Sequence, residues 1–203
     1  MKTEQVLENH TLNAGPLHEL LARRWSPRAF SARPVEKAKL AQLFQAARWA
    51  PSSYNAQPWY FVATTREGHD GNDRLLRTLM DVNREWAQQA PVLVLAVARE
   101  TYPHNGAPNH HAAYDLGQAV AHLTVEATSL GLYLHQMGGF DPALARELFA
   151  IPEGFRPLTV IALGYLERMA EPPAARTRKP LEDFVFSGGW GHVAPWVGKA
   201  ESQ

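Results

Sequence analysis

Ala50-Pro51-Ser52-Ser53-Tyr54-Asn55-Ala56-Gln57-Pro58-Trp59-Tyr60-Phe61 joins a helix-like run to a strand-like one. Ahead of it, Leu40, Leu43, Phe44 and Ala47 repeat at the i, i+3, i+4, i+7 spacing of one helix face. Pro34 suits the start of that helix and Pro51 stops it. Behind it, Trp59 to Thr64 reads as a strand. An Asn/Ser turn entering a strand is one account of the segment between them. Its density of side-chain donors and acceptors exceeds what a connector needs, which makes a ligand-facing loop the other.

The same alternation of helix and strand runs outward. Leu17, Leu20 and Leu21 share a face of a short helix ending near Arg24. A polar loop leads to a helical stretch from about Asn72 to Gln88, and Pro91–Ala98 is apolar throughout, as in a buried central strand. Asn109 is read as the N-cap of the longest helix, carried by Ala112, Leu116, Ala119, Val120, Leu123, Ala127 and Leu130, with Gly131 placed to end it. Leu132–Met137 reads as a strand, Asp141-Pro142-Ala143 as the cap of a helix ending near Phe149, and Leu158–Gly164 as the last strand. From Arg168 onward a proline-rich arm carries Phe184, Phe186, Trp190 and Trp196, which either packs on its own domain or wraps a partner. The class is α+β, with four or five strands in a single domain spanning residues 1–203, of which 168–203 are the arm.

Composition narrows the function classes. Lys plus Arg equals Asp plus Glu at 20 each, so no global field favours nucleic acid or an anionic membrane, and any anion site is local. With no cysteine there is no disulfide, thiolate catalysis, iron–sulfur ligation or cysteine-bound zinc. The first residues lack the apolar core of a signal peptide, and the apolar run at Ala90–Ala98 falls short of the roughly 20 residues that span a bilayer. A cytoplasmic protein is expected. His104, His110, His111 and Asp115 lack a metal-site spacing, no metal is expected, and His122 and His135 are read as packed or hydrogen-bonded core residues. Neither a G-x-S-x-G elbow nor a G-x-G-x-x-G or P-loop pattern occurs.

A second polar knot lies upstream, at Arg23-Arg24-Trp25-Ser26-Pro27-Arg28-Ala29-Phe30. It and the segment at 50–61 together resemble the FMN-dependent nitroreductase family, which carries an R-x-S-x-R-x-F element and an A-P-S-x-x-N-x-Q-P-W loop. The resemblance extends over roughly residues 17–188. It implies a nitroreductase-like fold with a mostly antiparallel sheet flanked by helices. It also implies a homodimer that exchanges the C-terminal arm and holds FMN at the subunit interface.

Residue by residue, the resemblance assigns Arg24, Ser26, Arg176 and Arg178 to the FMN phosphate, a task that suits the planar guanidinium fork. Arg28 takes the flavin N1/O2 edge, where a cation favours the reduced anion. Trp25 fills a slot more often held by Arg or His. Pro51, Ser52, Ser53, Asn55 and Gln57 approach the neighbouring subunit's flavin, and Asn83 the pyrimidine edge. In Gln136-Met137-Gly138-Gly139, backbone donors near Gly138 and Gly139 face N5, and adjacent glycines allow close approach to a flat ring. The loop Tyr102–Pro108 is where acceptor choice is expected. No side chain is an obligatory acid or base. The implied activity passes hydride from NADH or NADPH through flavin N5 to a small electron-poor acceptor such as a nitroaromatic or quinone. Other flavin chemistry on the same fold stays open: enone reduction, dehalogenation, oxidation of a dihydro heterocycle or breakdown of the flavin. So does FMN binding without turnover.

Overall fold

The unbroken apolar run at Val92–Ala98 lies in an inner strand of a four-stranded antiparallel sheet. The structure, a computed structural model, describes residues 17–168, 170 and 177–197. These divide into two compact units, one of residues 24–170 and one drawn from the segments on either side. In the larger unit the strands are β1 (Trp59–Thr65), β2 (Val92–Arg99), β3 (Tyr133–Met137) and β4 (Phe155–Gly164), in the order β1-β2-β4-β3. The smaller unit holds helix α1 (Glu19–Arg23), where Arg23 pairs with Glu19, and the 3₁₀ turn Leu181–Asp183. The Pro/Ala stretch at 171–176, including Arg176, lies outside the described residues.

Side chains of successive strand residues point to opposite faces, so an inner strand covered on both sides must be apolar at every position. Val92, Val94, Ala96 and Ala98 join Ile161 and Leu163 in one core layer beneath α2 (Lys37–Arg48) and α5 (Ala112–Ser129). Leu93, Leu95 and Val97 join Val160 and Ala162 in the other, covered by α3 (His69–Thr78), α4 (Asp81–Ala87) and α6 (Pro142–Leu148). The expected face of α2 is the one used: Leu43 and Ala47 are buried, and Leu40 and Phe44 pack against the same layer.

Four boundaries differ from the sequence reading. The helix expected over 72–88 is two helices, because the backbone turns extended at Leu79. There the Met80 N–H donates to Gly139 O at 3.1 Å and Leu79 bridges Phe140. A tertiary pairing has replaced a helical one. Asn109 does not cap α5 itself; its Oδ1 accepts from the His111 N–H and closes a turn just before the helix. Helix α2 starts at Lys37, three residues after Pro34. Strand β4 starts at Phe155 rather than Leu158. Pro157 fits inside it because the pairing with β2 shifts register between Ala96 and Val97, and a bulge tolerates a residue with no N–H. Asp141 caps α6 as read, accepting from Ala143 N and Leu144 N.

A polar brace ties α2 to the chain just past β4. The Tyr165 hydroxyl donates to Glu36 Oε2 at 2.5 Å, Lys39 Nζ reaches that hydroxyl at 2.8 Å, and Arg33 lies 4.0 Å above the ring and pairs with Glu36. The Tyr165 hydrogen bond is the main cause that lowers the Glu36 pKa to about 2. A depressed carboxylate stabilises the fold above its unfolded value of 4.5, and that contribution disappears as pH falls toward 2. A carboxyl NMR titration should find Glu36 ionised well below pH 4, and Tyr165→Phe should bring its midpoint back toward the ordinary carboxylate range. An unchanged midpoint would remove the hydroxyl as the cause.

Candidate active site

Two polar sets stand at opposite edges of the sheet. The first gathers along β3. The segment 24–28 runs beside this strand: Trp25 meets Tyr133 edge-on at 5.9 Å, and the Pro27 carbonyl accepts from His135 Nδ1 at 2.9 Å. This fixes the tautomer, since a carbonyl only accepts and Nδ1 must carry the proton. Burial lowers the His135 pKa and nearby Arg28 adds to that effect, against the Pro27 and Ser26 main-chain interactions. The ring is therefore neutral near pH 7, wedged against Trp86 at 4.5 Å. Arg24 Nη1 donates to Ser26 Oγ at 3.3 Å, and among the described residues Arg28 has no ion-pair partner and is exposed.

Beyond β3, Gly138 and Gly139 turn the chain toward α6. Asn83, on α4, donates from Nδ2 to Gly139 O at 3.0 Å, and a Cβ at Gly139 would lie 2.8 Å from that nitrogen. A Cβ at Gly138 would meet nothing within 4 Å, so one side of the turn is open. Asn83 is thus brought to the glycine turn, with its amide already engaged there. Gln136 is exposed, whereas the Met137 side chain is buried in the core and its carbonyl accepts from Thr159. Trp86 Nε1 is a buried donor without a protein partner in this set.

The second set is the loop before β1. Tyr54, Asn55 and Gln57 have φ of 51°, 51° and 46°. Asparagine tolerates this left-handed region; tyrosine and glutamine do so only when their surroundings hold them there. The holding bonds are explicit. Asp115 Oδ2 accepts from Ser53 N at 3.1 Å, Ser52 Oγ accepts from Gln57 N at 3.0 Å, and Ser53 Oγ lies 3.0 Å from Tyr102 OH. Gln57 Nε2 turns back to Asn55 O, and Pro51 is exposed at the entrance. Tyr54 is 83% exposed and touches both Tyr102 and His104. The loop Tyr102–Pro108 is therefore seated directly on the 51–57 segment.

The two sets do not meet within one chain. The β1 and β3 edges are three strand spacings apart, roughly 14 Å. Arg178 belongs to the smaller unit, where its guanidinium donates to its neighbour's carbonyl, Thr177 O, at 2.9 Å. His122 is exposed on α5, contrary to the expectation of a packed residue, because it lies off the helix's buried stripe. His135 is half-buried and hydrogen-bonded as read. The sequence reading missed Trp86, and it treated Asp115 only as part of a rejected metal set. The signal for Asp115 was present: it lies three residues after Ala112 and four before Ala119, inside the buried stripe of α5. A carboxylate there needs a buried partner.

Known proteins place this architecture. A protein of Mycolicibacterium smegmatis described as an uncharacterised 15.4 kDa protein is 37% identical over 149 residues, 65% of this chain and 97% of its own. A Streptomyces coelicolor protein with the provisional name NADH dehydrogenase/NAD(P)H nitroreductase is 29% identical over 167 residues, covering 72% of this chain and 79% of that one. A solved structure described as an oxidoreductase containing FMN superposes with a TM-score of 0.82 at 34% identity, over 91% of this chain and 98% of that one. The Nitroreductase family model matches residues 21–165, which include the segment at 24–28, the loop at 51–57 and the glycine turn. With strand order, motifs and overall superposition in agreement, the chain belongs to the nitroreductase family.

Proposed function

We propose that the protein is an FMN-dependent oxidoreductase that takes reducing equivalents from NADH or NADPH and passes them to a small electron-poor acceptor, such as a nitroaromatic or quinone. One observation carries the reading. Arg24, Ser26, Arg28, Asn83 and the Gly138–Gly139 turn, far apart in sequence, line one sheet edge, where Gly138 leaves an open approach to the main chain. That donor set fits the cofactor: cations and a hydroxyl for a phosphate dianion, a side-chain-free turn for a flat ring.

Bound FMN would supply the two-electron chemistry, taking hydride at N5 from the nicotinamide and yielding it to the acceptor. The protein's residues bind and orient. Arg24 and Ser26 hold the phosphate, Arg178 is assigned to it by resemblance alone, and Arg28 supplies positive charge for the ring edge that becomes negative on reduction. Asn83 and Met80 N both fix the Gly139 carbonyl, so the glycine turn keeps its main-chain orientation without an external ligand. No side-chain proton donor is needed, because water can protonate the product.

We also propose a homodimer in the cytoplasm. Asn55 and Gln57 stand at the sheet edge opposite the β3 set, so the loop assigned to the flavin serves a second subunit's site. The exposed Phe184, Trp190 and Trp196 support an arm that covers a partner. Among the described residues no helix is long and apolar enough to cross a membrane.

The test is an anaerobic visible spectrum of the purified protein before and after NADH, then NADPH. A flavin spectrum that bleaches with a donor and recovers with a quinone or nitroaromatic is the expected result. Bound flavin indifferent to both donors would overturn the reductase reading, and a protein that binds no FMN would overturn the cofactor.

A further inference from the structure

Asp115 is 2% exposed and sits in the first turn of α5, where the helix N-terminus favours a negative charge. Burying a carboxylate is costly unless it is hydrogen-bonded, and the bond it makes to another element is to the Ser53 N–H. That N–H begins the 3₁₀ turn Ser53–Asn55, immediately before the left-handed residues Tyr54, Asn55 and Gln57. The other end of Ser53 is tied as well, its hydroxyl to the phenol of Tyr102. One residue is thereby held at its main chain by a helix and at its side chain by the 102–108 loop. Non-glycine backbone is disfavoured in this region, so the loop keeps its shape only because it is held.

We infer that Asp115 is a positioning residue, which locks Ser53 and so sets the strained backbone that presents Asn55 and Gln57. The inference rests on the proposal that this loop faces a flavin. Asp115 touches neither cofactor nor substrate; it acts through the Ser53 amide. What the lock needs is an acceptor at that point rather than a full charge. Asparagine, with its own carbonyl oxygen, preserves it and alanine removes it.

The experiment compares the wild-type holoprotein with Asp115→Asn, Asp115→Ala, Ser53→Ala and Ser53→Pro. Two readouts are taken, the FMN dissociation constant by flavin fluorescence and hydrogen exchange at the residue 53 amide. Asp115→Ala should weaken FMN binding about tenfold, as expected on losing a hydrogen bond to a charged group, and should speed exchange at Ser53. Asp115→Asn should recover FMN binding to within about threefold of wild type and restore protection, which a purely structural role of the charge would not do. Should Asp115→Ala fail to fold, Ser53→Pro serves in its place. It deletes the same N–H, and the extended Ser52 (φ −150°, ψ 153°) accommodates a following proline. Ser53→Pro should bind FMN more weakly than Ser53→Ala, which loses only the hydroxyl.

Equal FMN affinity in wild type and Asp115→Ala, or unchanged exchange at Ser53, would overturn the lock. So would an asparagine variant as impaired as alanine, or Ser53→Pro binding as well as Ser53→Ala. A wild-type protein that binds no FMN overturns the cofactor assignment instead, while the Ser53 exchange rates still decide whether Asp115 holds the loop.

Discussion

Arg24→Ala should release FMN roughly 10- to 100-fold more readily than the wild type, the equivalent of about 1.5–3 kcal/mol for a hydrogen bond to a charged partner. The segment at 24–28 stays docked without this side chain, through Trp25 on Tyr133 and the Pro27 carbonyl on His135. The loss should therefore appear in cofactor affinity. Arg24→Lys should recover only part of it, since an ammonium lacks the planar fork that pairs two phosphate oxygens. Raised salt should narrow the gap between wild type and alanine variant if charge is the cause. Fluorescence titration decides the matter: a dissociation constant within about twofold of wild type takes Arg24 out of the site.

Leu95→Ala should destabilise the fold by about 2–5 kcal/mol, a large part of the roughly 5–15 kcal/mol that holds a typical domain together. Leu95 is fully buried at the middle of β2, opposite Val62 on β1 and Val160 on β4. Strands on both sides and helices above restrict how far the structure can relax into the cavity, which places the cost toward the upper half of that range. For a chain of this size each kcal/mol lowers the melting temperature by about 2–4 °C, so the drop is readily measured at fixed FMN concentration. Leu95→Met, which nearly conserves volume, should cost less than about 1.5 kcal/mol. A loss below about 1 kcal/mol for the alanine variant would mean that this layer is not the tightly packed core described.

Local patterns identified most of the elements. The spacing of Leu40, Leu43, Phe44 and Ala47 marked a buried helix face, the run at Val92–Ala98 a doubly covered strand, and Asp141-Pro142 a capped helix start, and each is present. These features depend on neighbours within a few residues, so they can be read along the chain. The two glycines at 138–139 were legible for the same reason. The helix expected over 72–88 was misread because a pairing with Phe140, about sixty residues away, ends it at Leu79. The start of β4 was misread because Pro157 argues against a strand unless the bulge at Leu158, within β4 itself, is known.

By itself the sequence determined the kinds of donor available, the α+β alternation, and motifs specific enough to identify a family. It could not say which donors would share an edge. Only the tertiary structure set Arg24, Arg28, Asn83 and Gly138 along β3 while holding Asn55 and Gln57 at the far edge, and only it gave Asp115 a partner in Ser53. The physical reason is range. Helix periodicity, caps and turns are fixed by contacts a few residues apart, whereas strand order and buried polar pairing join positions tens of residues apart, and a one-dimensional pattern carries no record of those distances.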